Sequence, residues 1–304
     1  MRSGGWKPFW AALFASLLVL VPLVGGTVLL SHRQLRTQLR QAARSESGVP
    51  IQLPKTTDQL TVLLCVSGEE PGFVLAYLNA SQNCVHLLSV PTALTVPFAE
   101  EEASLARCYA AAGPARCREA LMQVLALPEG TRYLALSPAV LERIASRFGP
   151  VRVGFTGALT EDELARYGRS RAVQGISAGD AHNFLCRLQA DATLSPQRTA
   201  AARAAVWDAF FRQNLELLPT ALPNALRANS SALLTDLTAL DYDALERTLE
   251  FLANSAASVE AQTLPGAWDA ASGTYTVTDA SRAAMQTFFN VSPTEAQASS
   301  FKEP

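Results

Sequence analysis

Three apolar runs separated by polar breaks stand near the centre of this chain. Gln59–Val66 (QLTVLLCV), Phe73–Asn79 (FVLAYLN) and Cys84–Val90 (CVHLLSV) are divided by the polar break Ser67–Gly72 and by the turn ASQN. Each has strand length and an almost unbroken apolar character. Runs without polar alternation predict strands covered on both faces, hence a sheet with helices packed over it. The short turns favour an antiparallel meander.

The period then changes. SLARCYAAAGPARCREALMQVLALP (Ser104–Pro128) carries Ala and Leu at helical spacing, broken at Gly113–Pro114. RYLALS predicts a short strand, PAVLERIASRFG a helix with Pro at its start and Gly at its end, and VRVGF another strand. Leu159–Arg171 is polar and charged, a loop or a short helix. GISAGDAHNFLCRLQ gives a turn and a helix. A second helix begins at Ser195 and Pro196, with Val206, Phe210 and Leu217 on its apolar face. Asp241 is the expected cap of a third, with Leu245, Leu249 and Leu252 on one side. TYTVTD and ASRAAMQTFFN predict a closing strand and helix. Strands alternating with helices predict an α/β domain of α-β-α layers around a mixed central sheet.

Ahead of this domain, Phe9–Leu30 holds no charged residue and is long enough to span a ~30 Å hydrocarbon core. A cleaved signal peptide would have a shorter apolar region and a small-residue cleavage site. The expected organisation is a short cytoplasmic amino terminus (1–8), one transmembrane helix (9–30), a basic stalk and linker (31–57), the folded domain (58–290) and a disordered tail (291–304). Arg2 and Lys7 precede the helix and Arg33, Arg36, Arg40 and Arg44 follow it. A bare charge count therefore puts the domain in the cytoplasm.

Charge and composition exclude one class. A net charge of −2, with no long basic run, offers nucleic acid no electrostatic hold. The five cysteines (Cys65, Cys84, Cys108, Cys117, Cys186) form no CxxC and show no metal-ligand spacing. Cys65 and Cys84 read as buried thiols in strands, and Cys108 and Cys117 could bridge two helices in an oxidising compartment. Of the three histidines, His86 reads as a half-buried sheet residue, and none has a zinc-like partner. Glu100–Glu102 reads as a solvated loop; Glu69–Glu70 sits at a strand end, where ligands often gather.

Gly175–Gly179 (GISAG) fits the hydrolase pattern G-x-S-x-G. That pattern needs a buried strand before it, and RYGRSRAVQ is a poor one; the only histidine downstream is His182, five residues on. Arg187, Arg198 and Arg203 lie on the two helices that follow. Arginine suits phosphate through its fixed charge and bidentate fork, although sequence alone favours surface arginines on amphipathic helices. No catalytic residue is assigned.

Five segments in order resemble the LytR–CpsA–Psr (LCP) family of cell-envelope proteins, over Leu60–Asn290. VHLLSVPTALTV is similar to the family's L-L-S-I-P-R-D-T strand and loop, and SLARCYAAAGP to its K-I-N-x-A-Y-x-x-G-G-P helix. PAVLERIASRFGPVRV, GISAGDAHNFLCRLQ and QTLPGAWD…GTYTVTDASRAAMQTFF resemble its later segments. The resemblance implies a membrane-anchored domain outside the cytoplasm, against the bare charge count. It implies transfer of a glycopolymer from a polyprenyl-pyrophosphate carrier to peptidoglycan. An apolar pocket would take the lipid, arginines the pyrophosphate, with Arg187, Arg198 and Arg203 the pyrophosphate-binding candidates here, and acidic residues Mg2+.

The sequence departs from the family pattern at its charged positions. Thr92 and Ala93 stand where the S-I-P-R-D loop has arginine and aspartate. Glu69, Glu70, Pro71 and Gly72 fall on the R-S-D-T stretch. Arg187 and Arg198 keep the first arginines of two pairs whose second members fall on Gln189 and Ala201. Mg2+ lacks its usual aspartate. The expectation is a kept scaffold with transferase activity weakened or lost, the alternative being a catalytically inactive scaffold or regulatory binding protein.

Overall fold

A computed structural model describes residues 54–55, 58–170 and 172–289. The expected anchor at 9–30, nearly all of the stalk and the tail at 291–304 lie outside the described residues. Among those described, no helix is long and apolar enough to cross a membrane.

The strands β1 (Gln59–Val66), β2 (Gly72–Asn79) and β3 (Cys84–Val90) form the antiparallel meander. A hairpin of β4 (Thr95–Phe98) and β5 (Glu101–Ser104) leads into α1 (Leu105–Leu125), so Glu101 and Glu102 are exposed strand residues instead of a loop. Gly113 interrupts α1 at φ 75°, a left-handed conformation that suits glycine, with Pro114 just after it. Next come β6 (Arg132–Leu136), α2 (Pro138–Ala145), β7 (Val151–Val153), the short α3 (Glu161–Arg166) and β8 (Gln174–Ile176). The helices α4 (Ala178–Gln189), α5 (Pro196–Asn214), α6 (Leu218–Ala228) and α7 (Ala239–Asn254) follow, with the two-residue β9 (Leu234–Thr235) before α7. The strands β10 (Ser258–Thr263), β11 (Ala267–Asp269) and β12 (Thr274–Thr276) and the helix α8 (Asp279–Phe288) close the described chain.

The central sheet has the order β10-β3-β2-β1-β6-β9 and is mixed. β10 runs parallel to β3 and β6 parallel to β1, while β1–β2, β2–β3 and β6–β9 are antiparallel. Alternate residues of each central strand serve different cores. Leu63, Cys65, Phe73, Leu75 and Leu88 pack with α1 and α8 through Leu105, Cys117, Leu121 and Phe288. Val62, Val74, Ala76 and Leu87 pack on the other face with Phe211, Leu226, Leu245 and Leu249 of α5 to α7. Two covered faces explain why the strands show no polar alternation. A third core joins β7 and β8 to α3, α4 and α5 through Val153, Phe155, Leu164, Phe184 and Leu188.

Several expectations are corrected. Thr238, not Asp241, caps α7: its hydroxyl accepts the Asp241 N–H at 3.3 Å, and the Asp241 carboxylate accepts the Thr238 N–H at 2.8 Å. Asp241 is the reciprocal member of a capping box. The helix α6 was not expected; Pro219 lies in its first turn and Pro223 inside it, and its buried face overrides that local penalty. Leu217 precedes α6, is 52% exposed, and does not extend the apolar face of α5. His86 is fully buried, its Nδ1 2.6 Å from the Phe288 carbonyl oxygen. Cys108 and Cys117 lie in one helix on either side of its kink. Both are buried free thiols, as is Cys65, and Cys84 is buried in β3.

Candidate functional site

A cavity of about 150 Å3 lies between the α5–α7 face of the sheet and the helices over it. Val62, Leu64 and Leu136 form its floor; Ile144, Trp207 and Phe210 are among the side chains that close it. The apolar positions predicted for β1, α2 and α5 thus converge on one apolar space.

One end of the lining is polar, and Arg203 organises it. This guanidinium is 4% exposed, on a buried face of α5. It donates to Gln189 Oε1 at 2.7 Å and, weakly, to the Val90 carbonyl at 3.5 Å. Gln189 in turn donates from Nε2 to the Pro71 carbonyl at 3.1 Å. Gly72 lies directly against the side chain: a Cβ there would sit 2.8 Å from Arg203 Nε. No carboxylate lies within ion-pair distance of Arg203 among the described residues. Burial pushes its pKa down to about 10, so it remains a cation at neutral pH.

Around it stand Glu70, His182 and Cys186. The Cys186 thiol is 3.5 Å from His182 Nε2 and 4.0 Å from the Glu70 carbonyl oxygen, both weak sulfur contacts. Burial, then the Glu70 charge, pushes the Cys186 pKa up, with the Arg203 charge opposing. A thiol held protonated in this way is a poor nucleophile. Burial, helped by the Arg203 charge, pushes the His182 pKa down, which leaves a neutral ring. Ser177 of GISAG is the N-cap of α4: its hydroxyl accepts the Asp180 N–H at 3.1 Å and donates to the Asp180 carboxylate at 2.8 Å. That serine terminates a helix and is not paired with His182.

The three arginine candidates are not brought together. Arg203 lines the cavity. Arg187 is exposed on α4, its guanidinium carbon 5.2 Å from the centre of the Tyr167 ring. Arg198 forms an ion pair with Glu163 at the start of α3. Burial pushes the Glu163 pKa up, but hydrogen bonds from Thr160 and Arg198 outweigh it and hold the carboxyl below its ordinary value.

The donors do not assemble a magnesium site. Among the described residues no three His, Cys, Asp or Glu side chains form a group able to hold a metal ion. Glu70 is the single carboxylate in the cavity lining, and it shares that lining with a fixed cation. Magnesium demands near-octahedral oxygen ligation, normally with carboxylate anchors.

No protein-family model matches the sequence, and no curated protein matches it. Solved structures do. A LytR-Csp2A-Psr enzyme from Actinomyces oris is 20% identical, with a TM-score of 0.55 over 79% of this chain and 94% of its own. TagT from B. subtilis is 15% identical, with a TM-score of 0.55 over 82% and 99%. TagT bound to LIIa-WTA is also 15% identical, with a TM-score of 0.58 over 82% and 98%.

The described domain has the LytR–CpsA–Psr fold.

On this LCP scaffold two of the substituted motif positions, Gly72 and Gln189, meet at Arg203, whereas Ala201 lines a different pocket. Gly72 and Val90 end adjacent strands, Phe73 being the register partner of Val90. Thr92 and Ala93 therefore follow beside the Glu69–Gly72 loop. Gln189, where the resemblance sets a second arginine, bonds Arg203 directly. Arg203 belongs to neither motif pair, yet it reaches from α5 to the positions at which motif charges are missing. Its sequence signal is that of an arginine on the same helix as Arg198, with no motif match of its own.

Proposed function

We propose that this chain is a membrane-anchored LCP-like protein of cell-wall assembly that takes a polyprenyl-linked glycopolymer for attachment to peptidoglycan, with weakened transferase activity. The anchor is Phe9–Leu30 and the domain stands outside the cytoplasm. One observation carries the reading: an apolar cavity ends at a buried guanidinium that has no carboxylate partner. A fold that keeps such a space, with an uncompensated cation at one end, suits an amphiphile with an acidic head. The LCP fold supports the envelope setting, and a structural neighbour, TagT, is bound to LIIa-WTA.

In this site the apolar walls hold the tail and exclude water, Arg203 faces the head group, and Gln189 fixes the angle of the guanidinium. Charge placement of this kind is the main protein contribution to phosphoryl transfer. A second reading, an inactive scaffold or regulatory binding protein, draws support from Arg187 and Arg198, which are engaged with Tyr167 and Glu163.

The test uses the purified full chain in detergent micelles with a polyprenyl-linked glycopolymer and peptidoglycan fragments. Binding with slow transfer that disappears in Arg203→Gln is the expected result. Binding without transfer selects the scaffold reading. Absence of binding rejects both.

A further inference from the structure

We infer that the polar end of this cavity takes one phosphoryl group on a polyprenyl chain, held by Arg203 without a metal ion, and not a metal-bridged diphosphate. The inference rests on the proposed reading of the cavity as a lipid site, and it specifies that site's head-group chemistry.

Three observations carry it. The first is charge. Arg203 is the fixed cation of the lining, Glu70 is its carboxylate, and the neighbouring His182 is held neutral by burial and by Arg203 itself. A diphosphate would bring at least two negative charges into a partly desolvated space with a single guanidinium and a standing carboxylate. Each uncompensated charge there is costly. One phosphoryl group instead completes a pair with Arg203.

The second is the shape of the donor. The guanidinium has five N–H groups in a rigid plane. Gln189 and Val90 engage two of its edges, and Gly72 packs against Nε. Two of the five N–H groups are taken, and the donors left over belong to one guanidinium, enough for the oxygens of one phosphoryl group. Gln189 adds no second cation, and its own amide already donates to the Pro71 carbonyl.

The third is the donor set for a metal. A diphosphate with so few cationic partners would require a divalent ion to neutralise it. The carboxylates that would anchor such an ion do not converge among the described residues.

Cys186 supplies a site-specific readout. It lines the cavity and is half-exposed, whereas the other four cysteines are buried. The full chain in detergent micelles is titrated with polyprenyl monophosphate, diphosphate or alcohol of one chain length, in Mg2+ or in EDTA. Protection of Cys186 from N-ethylmaleimide is followed by mass spectrometry. The monophosphate is expected to protect at concentrations about tenfold below the alcohol, the size of one charge-assisted hydrogen-bonded contact. EDTA should leave that value unchanged, and the diphosphate should bind no more tightly. Arg203→Gln should bring monophosphate and alcohol to the same value. Arg203→Lys, which keeps the charge without the fork, should retain part of the preference and shows that the folded site is being measured. A diphosphate that protects about tenfold better than the monophosphate in Mg2+, and loses that advantage in EDTA, overturns the inference while leaving the lipid-site reading intact. Failure of all three lipids to protect Cys186 overturns the lipid-site reading itself, and the inference with it.

Discussion

Arg203 Nε lies over Gly72 so closely that a single added methyl at Gly72 would sit 2.8 Å from it. Glycine at the start of β2 is thus the space in which the guanidinium rests. Gly72→Ala should displace the buried Arg203 side chain and lengthen its bond to Gln189. The overpacking cost is about 1–3 kcal/mol in urea unfolding, and lipid binding should weaken by a larger factor than in Arg198→Ala. Arg198→Ala should act mainly on stability, by leaving Glu163 without its ion pair. Unchanged lipid binding in Gly72→Ala would show that Arg203 does not depend on this contact.

Cys186 should report the charges around it. Its pKa is raised by burial and then by Glu70, and is lowered by Arg203. Less thiolate is therefore present at neutral pH than in a free cysteine, and alkylation is slow. Glu70→Gln removes a raising charge, lowers the pKa and should accelerate alkylation; the whole rate-against-pH curve should move to lower pH. A curve that stays in place in Glu70→Gln would separate Glu70 from the Cys186 environment.

How much of this is legible in the sequence differs between scaffold and site. The strands β1 to β3 are readable because both faces are covered, and an unbroken apolar run as short as VLLCV suits a strand between two helical layers. The kink in α1 is readable because Gly113–Pro114 breaks a helix locally. The helix α6 is not, because Pro219 and Pro223 argue against it and only burial of Leu218, Ala225 and Leu226 offsets that penalty. Thr238 escapes notice as a cap because Asp241 is an equally good capping type three residues on. At the site, Arg187, Arg198 and Arg203 are all helical arginines in sequence, and the motif resemblance favours the first two. What separates them is whether each meets Tyr167, Glu163 or an apolar cavity, a tertiary fact that helical spacing does not encode.

His182 should make stability pH-dependent in one direction. Its folded pKa lies below the unfolded value of about 6.5, first through burial and then through the Arg203 charge. Above about pH 6.5 both states are neutral and the native state loses nothing. As pH falls below that value the unfolded chain binds the proton first, so stability drops until the folded pKa is passed. Urea midpoints measured between pH 7.5 and about 5 should therefore fall in the parent protein and fall less in His182→Gln. Parallel curves for the two proteins would remove His182 from the account.

Among the described glycines, Gly266, in the QTLPG segment, leaves the least room for a side chain. A Cβ there would lie 2.7 Å from the Thr276 carbonyl oxygen and 2.9 Å from Tyr275 Cζ, with the Tyr275 Cε1 contact closer still. Tyr275 cannot move aside at low cost. It is fully buried, packs with Leu94 and Phe288 in one core, and donates its hydroxyl to the Leu264 carbonyl at 2.7 Å. The same ring lies beside the LCP loop: its backbone N–H donates to the Ala93 carbonyl at 3.3 Å, immediately after the LLSVPT segment. Gly266→Ala should therefore destabilise by about 3 kcal/mol, at the upper end of the ordinary overpacking range. Tyr275→Phe, which removes only the hydroxyl and leaves the Leu264 carbonyl unpaired, should cost about 1–3 kcal/mol. The double variant tests the mechanism. If the clash is with the ring, Tyr275→Leu in the Gly266→Ala background should recover part of the loss. If the two substitutions add, the Thr276 backbone is the obstacle instead.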